Sequence, residues 1–220
     1  MIVLKVGGAV ATTATSHILE LLAAGQEVCV VHGAGPQISE EMLRRGLEIR
    51  FVDGRRFTTP EALEVVRESL AAVNAELCSA IGERALGLMG DEIGLEAVPV
   101  PELGLVGTPL PVRPSPVVAA LAAGLVPVVA PLAAGPLNVN ADEAAAALAV
   151  GLGAERLLFV TDVPGVLRGG GIVPSLAADE ADRLLAAGKF EGGIIPKLHA
   201  AVTAARLGVQ AEIGETAVLA

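Results

Sequence analysis

The sequence predicts an α/β protein, a three-layer αβα sandwich around a mainly parallel central sheet. Short apolar runs such as Ile2–Val6, Val28–Val31 and Val126–Ala130 alternate with helical patterns along the chain. Strands that are apolar on both faces are typical of parallel sheets covered by helices. The 220 residues are 53% hydrophobic, enough to bury the core of one domain or of two fused lobes.

The first half of the chain alternates between the two element types. Thr59 suits a helix N-cap, Pro60 suits the first turn, and Glu61 lies near the positive end of the helix dipole. Glycine and proline between Leu88 and Pro116 predict short strands and turns that could form a hairpin. The predicted elements are strand Ile2–Val6, helix Ser16–Ala24, strand Val28–Val31, helix Gln37–Arg45 and a helix from Thr59 to about Gly82.

The second half continues the alternation. The long uncharged stretch from Arg113 to Asp142 is interrupted by prolines and a glycine, which predicts buried core rather than a membrane-spanning helix. A soft boundary lies near Pro136. The predicted elements are helix Val117–Ala123, strand Val126–Ala130, helix Ala141–Gly151, strand Leu157–Thr161, helices Ala178–Ala187 and Lys197–Leu207, and strands near Val209–Ile213 and Ala217–Leu219.

Composition excludes several classes of function. A net charge of −10 and the absence of Trp and Tyr argue against a nucleic-acid-binding surface. Cys29 and Cys78 lie in apolar patterns and are expected to be buried free thiols. The three His residues show no metal-ligand spacing. The chain begins with a strand-like run and no signal-peptide pattern, so we expect a cytoplasmic protein.

Two lysines, Lys5 and Lys197, lie at opposite ends of the chain, each near a glycine pair. Lys5 precedes Gly7 and Gly8, and Lys197 opens an Ala-rich helix after Gly193. Glycine leaves backbone room beside a ligand, and the chain has only 15 Lys and Arg in all. The pattern predicts that both ammonium groups converge on a transferring phosphoryl group.

The segment His32–Pro36 follows an apolar strand and precedes a helix. Its small residues would let a ligand approach the backbone, and the helix N-terminus offers N–H groups to an anion. Taken alone, the segment is better explained as a tight turn. It is not a P-loop, and Ile38 occupies the third glycine position of the dinucleotide-binding fingerprint.

Polar residues cluster at three other places. Asn138-x-Asn140-x-Asp142 opens a helix; capping explains part of this pattern, but three such residues exceed what a cap needs. Thr161–Leu167 follows a buried strand at its carboxyl end, where ligands of open α/β sheets bind. Arg55 and Arg56 follow a turn. They are either solvated charges or a binding site for a carboxylate.

Taken together, these motifs resemble those of the amino acid kinase family, from Lys5 to about Val209. Gly54-x-Arg56-x-Thr58 with Asn138–Asp142 points to the branch that phosphorylates N-acetyl-L-glutamate. The matching segments are Lys5-x-Gly7-Gly8, His32-Gly33-x-Gly35, Gly54-x-Arg56-x-Thr58, Val73-Asn74, Gly104-x-Val106-Gly107, Asn138–Asp142, Thr161–Leu167 and Gly192–Lys197.

The resemblance implies ATP-dependent phosphorylation of the side-chain carboxylate of N-acetyl-L-glutamate, the second step of arginine biosynthesis, with Mg²⁺ bound through ATP and no protein metal site. Lys5 and Lys197 would stabilise the phosphoryl group, and Asp142 would hold both lysines. The implied substrate-binding residues are Gly33, Ala34, Gly35, Arg56 and Asn138. The implied ATP-binding residues are Gly7, Gly8, Asp162, Val163, Gly165, Val166, Leu167 and Phe190.

The resemblance also implies one amino acid kinase domain over residues 1–220, with an amino-acid-substrate lobe at 1–135 and an ATP-binding lobe at 136–220. Its partners would be small molecules, with no nucleic acid or membrane, and the assembly an arginine-insensitive homodimer. Ala34 replaces a usual glycine, and the segment after Val209 is short. The alternatives are a kinase of the same fold with another acceptor, including a carrier-protein-linked one, a nucleotide-dependent oxidoreductase, or a non-catalytic regulator.

Overall fold

The computed structural model describes residues 1–7, 11–161 and 163–220, and only the backbone of residues 11–13. Within these residues the main sheet has eight strands. Neighbouring strands run parallel except for one antiparallel pair, Gln210–Ile213 with Thr216–Leu219. The predicted mainly parallel sheet is therefore confirmed. In spatial order the strands are β14 (Ser175–Ala177), β16 (Thr216–Leu219), β15 (Gln210–Ile213), β11 (Arg156–Val160), β1 (Ile2–Val6), β2 (Val28–His32), β8 (Val126–Ala130) and β5 (Ala85–Met89).

Helices cover both faces of this sheet and complete the predicted three layers. Side chains of a strand alternate between faces, and β1 shows the consequence: Ile2, Leu4 and Val6 join one core cluster, whereas Val3 joins the other. The first cluster includes α1, α2 and α3, and the second includes α4, α5, α6 and α7. The helices are α1 (Ala11–Ala23), α2 (Gly35–Arg44), α3 (Pro60–Ile81), α4 (Ser115–Ala122), α5 (Ala141–Leu152), α6 (Ala178–Ala186) and α7 (Ile194–Arg206).

A smaller four-stranded sheet and two hairpins lie beside the main sheet. The small sheet has the order β6 (Ala97–Pro99), β7 (Val106–Pro109), β10 (Leu137–Val139) and β9 (Leu132–Ala133), and a 3₁₀ turn (Pro101–Leu103) joins its first two strands. The hairpins are β3 (Phe51–Val52) with β4 (Arg55–Arg56), and β12 (Leu167–Arg168) with β13 (Gly171–Ile172). The predicted lobe boundary at 135/136 falls in the β9–β10 turn; the lobe division itself stays a prediction.

Several element bounds differ from the sequence-based expectation. Helix α1 begins at Ala11 rather than at the predicted Ser16. The threonines before Ser16 are weak helix formers, so local propensity did not indicate a helix there. Helix α7 begins at Ile194 rather than Lys197, since Pro196 is tolerated in a first turn. Strand β5 was not predicted. Gly87 interrupts its apolar pattern, because a Cβ there would lie 2.2 Å from Oδ1 of Asn74 on α3.

Two local expectations hold. Thr59 caps α3 by accepting a hydrogen bond from the N–H of Ala62. The uncharged stretch after Arg113 folds into α4, β8 and the short strands β9 and β10. Across the described ranges, no helix combines the length and the apolar character that a membrane span needs.

Candidate active site

The carboxyl ends of β1 and β2 meet the N-termini of α2 and α5 at one edge of the main sheet, where open α/β sheets bind ligands. A cavity of about 430 Å³ lies there. It brings together residues from distant parts of the chain that the sequence singled out. Among its lining residues are Lys5, Gly33, Ala34, Gly35, Arg56, Asn138, Asp142, Gly193 and Lys197.

Asp142 lies between the two lysines. Its Oδ1 is 2.9 Å from Nζ of Lys5, and its Oδ2 is 4.0 Å from Nζ of Lys197. Lys5 and Asp142 are 6% and 5% exposed, so water screens their pairing little. Lys197 also donates a hydrogen bond to the carbonyl of Gly193 at 3.1 Å. One carboxylate thus lies within ion-pairing distance of two ammonium groups beside the same cavity.

The first turn of α5 places Asp142 at that position. Asn140 is the N-cap, and its Oδ1 accepts hydrogen bonds from the N–H groups of Asp142 and Glu143 at 2.8 and 3.2 Å. Capping therefore explains Asn140. Asn138 instead faces the cavity from β10, and its Nδ2 donates to Oγ1 of Thr58 at 3.0 Å. Thr58 in turn donates to the carbonyl of Arg56 at 2.8 Å, which links Asn138 on β10 to the β4 strand.

Arg56 is a buried cation held by neutral groups. Its Nη2 donates to Oγ of Ser39 at 2.7 Å and to the carbonyl of Gly35 at 3.2 Å, and its Nη1 lies 3.3 Å from Sδ of Met42. The ring of Phe51 stacks on it at 4.6 Å. Burial lowers the pKa of Arg56. Among the described residues no carboxylate pairs with it, so an anionic ligand would supply the missing counter-charge.

The Gly33–Gly35 loop leaves its backbone open to the cavity. No protein atom lies within 4 Å of a Cβ built at Gly35, and only Ala141 approaches one built at Gly33, at 3.5 Å. Neither packing within the protein nor a positive φ requires glycine at these positions, and both glycines leave the backbone accessible from the cavity. Ala34 has φ −138° and is buried, so alanine fits there without strain.

His32 supports this loop from below. Its Nε2 lies 3.1 Å from Nδ2 of Asn74, which also donates to the carbonyl of Val128 at 2.8 Å. Because Asn74 donates, the proton of the neutral imidazole is assigned to Nδ1. Burial lowers the pKa of His32 to about 4. A buried, neutral histidine orients the loop and does not act as an acid or base near neutral pH.

A second cavity of about 580 Å³ adjoins the first. Gly193 and Lys197 line both, so they form part of the wall between them. Its lining residues are Thr161, Val163, Gly165, Leu167, Lys189, Phe190, Glu191, Gly193, Ile194 and Lys197. Exposed apolar side chains of Val163 and Leu167 suit a flat heterocycle.

The other four residues predicted to bind ATP are Gly7, Gly8, Asp162 and Val166. Val166 is buried in the core, and its N–H donates to Oγ1 of Thr216 at 2.8 Å, so it supports the segment without lining the cavity. Gly7 follows β1 and is not among the residues lining either cavity. Gly8 and Asp162 lie outside the described residues.

The charges of the first cavity favour anions. Its lining includes four cationic side chains, Lys5, Arg55, Arg56 and Lys197, of which Arg55 pairs with Glu143. Asp142 is the single carboxylate among the lining residues, in a chain of net charge −10. Within residues 1–7, 11–161 and 163–220, no group of three His, Cys, Asp or Glu could hold a metal ion.

Sequence patterns did not identify Ser39 and Phe51 as contacts of Arg56. Ser39 lies four residues after Gly35 on α2, a spacing that puts both on one helical face next to the glycine loop. That spacing was a usable signal. Phe51 contacts Arg56 because β3 and β4 pair in register, which no local pattern reveals.

Comparisons with known proteins identify the family to which the chain belongs. A model of the amino acid kinase family matches residues 1–214. An acetylglutamate kinase of Rubrobacter xylanophilus is 44% identical over 96% of this chain and 87% of that protein. One from Geobacillus stearothermophilus is 38% identical over 92% and 84% of the two chains.

Solved structures show the same architecture. A Streptococcus mutans protein, smu.665, superposes with a TM-score of 0.88 at 26% identity, covering 99% of this chain and 98% of that one. A carbamate kinase of Giardia lamblia gives a TM-score of 0.74 at 14% identity, over 99% and 97% of the two chains. The latter likeness concerns the fold alone.

Proposed function

The chain belongs to the amino acid kinase family, and we propose that it transfers the γ-phosphoryl group of ATP to the side-chain carboxylate of N-acetyl-L-glutamate. The resemblance drawn from the sequence motifs is confirmed by the family match and by relatives named acetylglutamate kinase. The observation that carries the proposal is Asp142 holding Lys5 and Lys197 beside a cavity that also contains Arg56.

The first cavity would hold the amino acid. Its α-carboxylate would pair with the buried guanidinium of Arg56, which can grip a carboxylate with two parallel hydrogen bonds. Asn138 and the backbone of Gly33–Gly35 would bind the acetamido group and the γ-carboxylate. The γ-carboxylate would then face Lys5 and Lys197.

The second cavity would hold MgATP. Phe190, Val163 and Leu167 would contact the base, and the phosphates would extend toward Gly193 and Lys197, where the two cavities meet. Mg²⁺ would arrive bound to the ATP phosphates and water, a mode that this ion commonly uses. The metal would lower the negative charge of the phosphate chain.

The chemistry needs no general base. The attacking carboxylate has a solution pKa of about 4.3 and is ionised at neutral pH. Its oxygen forms a bond to the γ-phosphorus while the bond to the β–γ bridging oxygen breaks, and ADP leaves. The barrier comes from repulsion between anions and from alignment. Lys5 and Lys197 would neutralise the transferring group, and Asp142 would keep both ammonium groups in position.

The test is ADP release from ATP with and without N-acetyl-L-glutamate, combined with hydroxylamine trapping of an acyl phosphate. We expect acceptor-dependent ADP and a trapped hydroxamate in equal amounts. Glutamate, aspartate and carbamate should give much slower release, because none offers both an acetamido group and a γ-carboxylate. Equal rates with glutamate, or no acceptor-dependent release, would contradict the proposal.

We also propose a cytoplasmic homodimer. Strand β5 is the outer strand of the main sheet, its side chains are partly exposed, and Leu86 is 36% exposed. An open edge strand is a ready site for pairing with a second chain. Sedimentation equilibrium would test the assembly; a monomer at micromolar concentration would contradict it.

A further inference from the structure

The side chain of Arg55 links the β3–β4 hairpin to α5 and to β7. Its Nε and Nη2 donate to Oε1 and Oε2 of Glu143 at 2.9 and 2.8 Å, and its Nη1 donates to Oγ1 of Thr108 at 3.0 Å. The two charged side chains are 23% and 21% exposed. Bidentate, partly buried pairs of this kind are stronger and more directional than solvated surface pairs.

The pair joins two neighbours of the site. Arg55 precedes Arg56, and Glu143 follows Asp142. Successive residues of a strand point to opposite sides, and the hydrogen bonds agree: Arg56 contacts α2, whereas Arg55 contacts α5. The hairpin is therefore held between the helix of the glycine loop and the helix that carries the lysine-binding aspartate.

The hairpin needs such attachment. Each of its strands has two residues, and isolated two-stranded hairpins are marginally stable in water. Its turn residue Gly54 would place a Cβ 3.7 Å from Pro196, so the turn also lies against α7. Displacing the hairpin would move Arg56 away from the cavity and would change the distance between Arg56 and the lysines.

We infer that Arg55 is a positioning residue for the amino acid substrate: through Glu143 and Thr108 it fixes the hairpin so that Arg56 stands at the right distance from the phosphoryl-transfer lysines. The inference rests on the proposed function. Although Arg55 lines the first cavity, Glu143 neutralises it, so it does not provide a second carboxylate site. Its effect reaches the substrate through Arg56.

The experiment compares Arg55→Gln, Glu143→Gln and the double variant with the wild-type chain. Each single variant should raise KM for N-acetyl-L-glutamate about tenfold, because misplacing a binding group by a fraction of an ångström weakens its grip, while KM for ATP changes by less than about twofold. The double variant should be no worse than the singles, because all three lose the same pair. Arg55→Glu combined with Glu143→Arg should recover part of the affinity.

Arg156→Gln is the matched control. Arg156 forms a similar bidentate pair with Glu212, at 2.9 and 3.0 Å. Arg156 is the first residue of β11, at the amino end of the strand, whereas the cavity lies at the carboxyl ends of the parallel strands. Arg156→Gln should leave both KM values unchanged. An unchanged acetylglutamate KM in a folded Arg55→Gln protein would overturn the inference. Equal increases in KM for N-acetyl-L-glutamate and for ATP would also overturn it, because they would indicate general damage to the protein.

Hydrogen exchange separates this inference from the proposed function. In the ligand-free protein, amides of residues 50–57 should exchange several-fold faster in Arg55→Gln than in wild type or Arg156→Gln, because the hairpin opens more often. Unchanged exchange there would overturn the inference. Wild-type protein that lacks acetylglutamate-dependent ADP release would overturn the proposed function, whatever the exchange result.

Discussion

Nζ of Lys5 lies 2.9 Å from Oδ1 of Asp142, although one residue belongs to the first strand and the other to a helix in the second half of the chain. The contact forms because side chains alternate along β1, so Lys5 points to the face that α5 covers. Asp142 also reaches Lys197. The cationic end of the cavity therefore depends on how α5 and α7 pack together.

Lys197→Ala should keep the fold but lower kcat by a factor of order 10², the effect of losing one preorganised donor to a developing charge. The side chain lies where the two cavities meet. Steady-state kinetics with saturating substrates measures the effect. Arg206→Ala, at the end of the same helix and paired with Asp179 and Asp182, should retain wild-type turnover. Unchanged kcat in a folded Lys197→Ala protein would refute the role.

Arg56→Ala should raise KM for N-acetyl-L-glutamate at least tenfold and leave KM for ATP within about twofold, because it removes ground-state binding of the α-carboxylate. Ser39→Ala should also raise KM for N-acetyl-L-glutamate, but by a smaller factor, since Ser39 only orients the guanidinium of Arg56. Initial rates over a grid of both substrates separate the two constants. An effect confined to ATP would reject this assignment.

Gly35→Ala and Gly165→Ala should differ in stability. At Gly35 a Cβ meets no protein atom, so unfolding should be unchanged while kcat/KM for the amino acid falls. At Gly165, with φ +157°, a Cβ would lie 2.8 Å from Oγ1 of Thr216, and we expect a loss of about 1–3 kcal/mol. Urea unfolding with parallel kinetics checks both. Equal destabilisation would contradict the prediction for Gly35.

His32 should make stability fall in acid. Burial lowers its pKa from 6.5 to about 4, so the unfolded chain takes up this proton at higher pH than the folded one. The contribution of His32 is thus complete above about pH 6.5 and is lost as pH falls to about 4, by at most about 3 kcal/mol. Urea unfolding at pH 7.5, 5.5 and 4.5, wild type against His32→Gln, isolates this contribution. A constant difference between the two proteins would contradict it.

The sequence predicted those parts of the site that follow from local patterns. Strand β8 has the predicted bounds, Thr59 is the predicted N-cap, and Lys5 and Lys197 lie beside one cavity as their glycine contexts indicated. The position of Asp142 between them was implied by the family resemblance, and the catalytic roles of all three stay predictions. Each of these contexts can be recognised within a few residues. The family and the fold class could be predicted for the same reason, and both are confirmed.

Features that depend on distant pairing could not be predicted. Arg55 and Glu143 are 88 residues apart in the sequence. The residues around Arg55 do not indicate that its partner is Glu143. Strand β5 was not predicted because Gly87, which leaves room for the side chain of Asn74, interrupts the apolar pattern of the strand. The burial of the Val166 side chain likewise depends on distant parts of the chain, and the prediction that this residue binds ATP stays a prediction.

Gly193 and Lys197 line both cavities, so the two compartments are adjacent and share part of one wall. We expect a compound that joins an acylated amino acid to adenosine through a phosphate bridge to occupy both compartments at once. Its two ends would lose rotational and translational freedom only once, so its affinity should exceed that of either half by far more than their separate strengths suggest. The shared wall thus makes the protein a natural receptor for bisubstrate inhibitors.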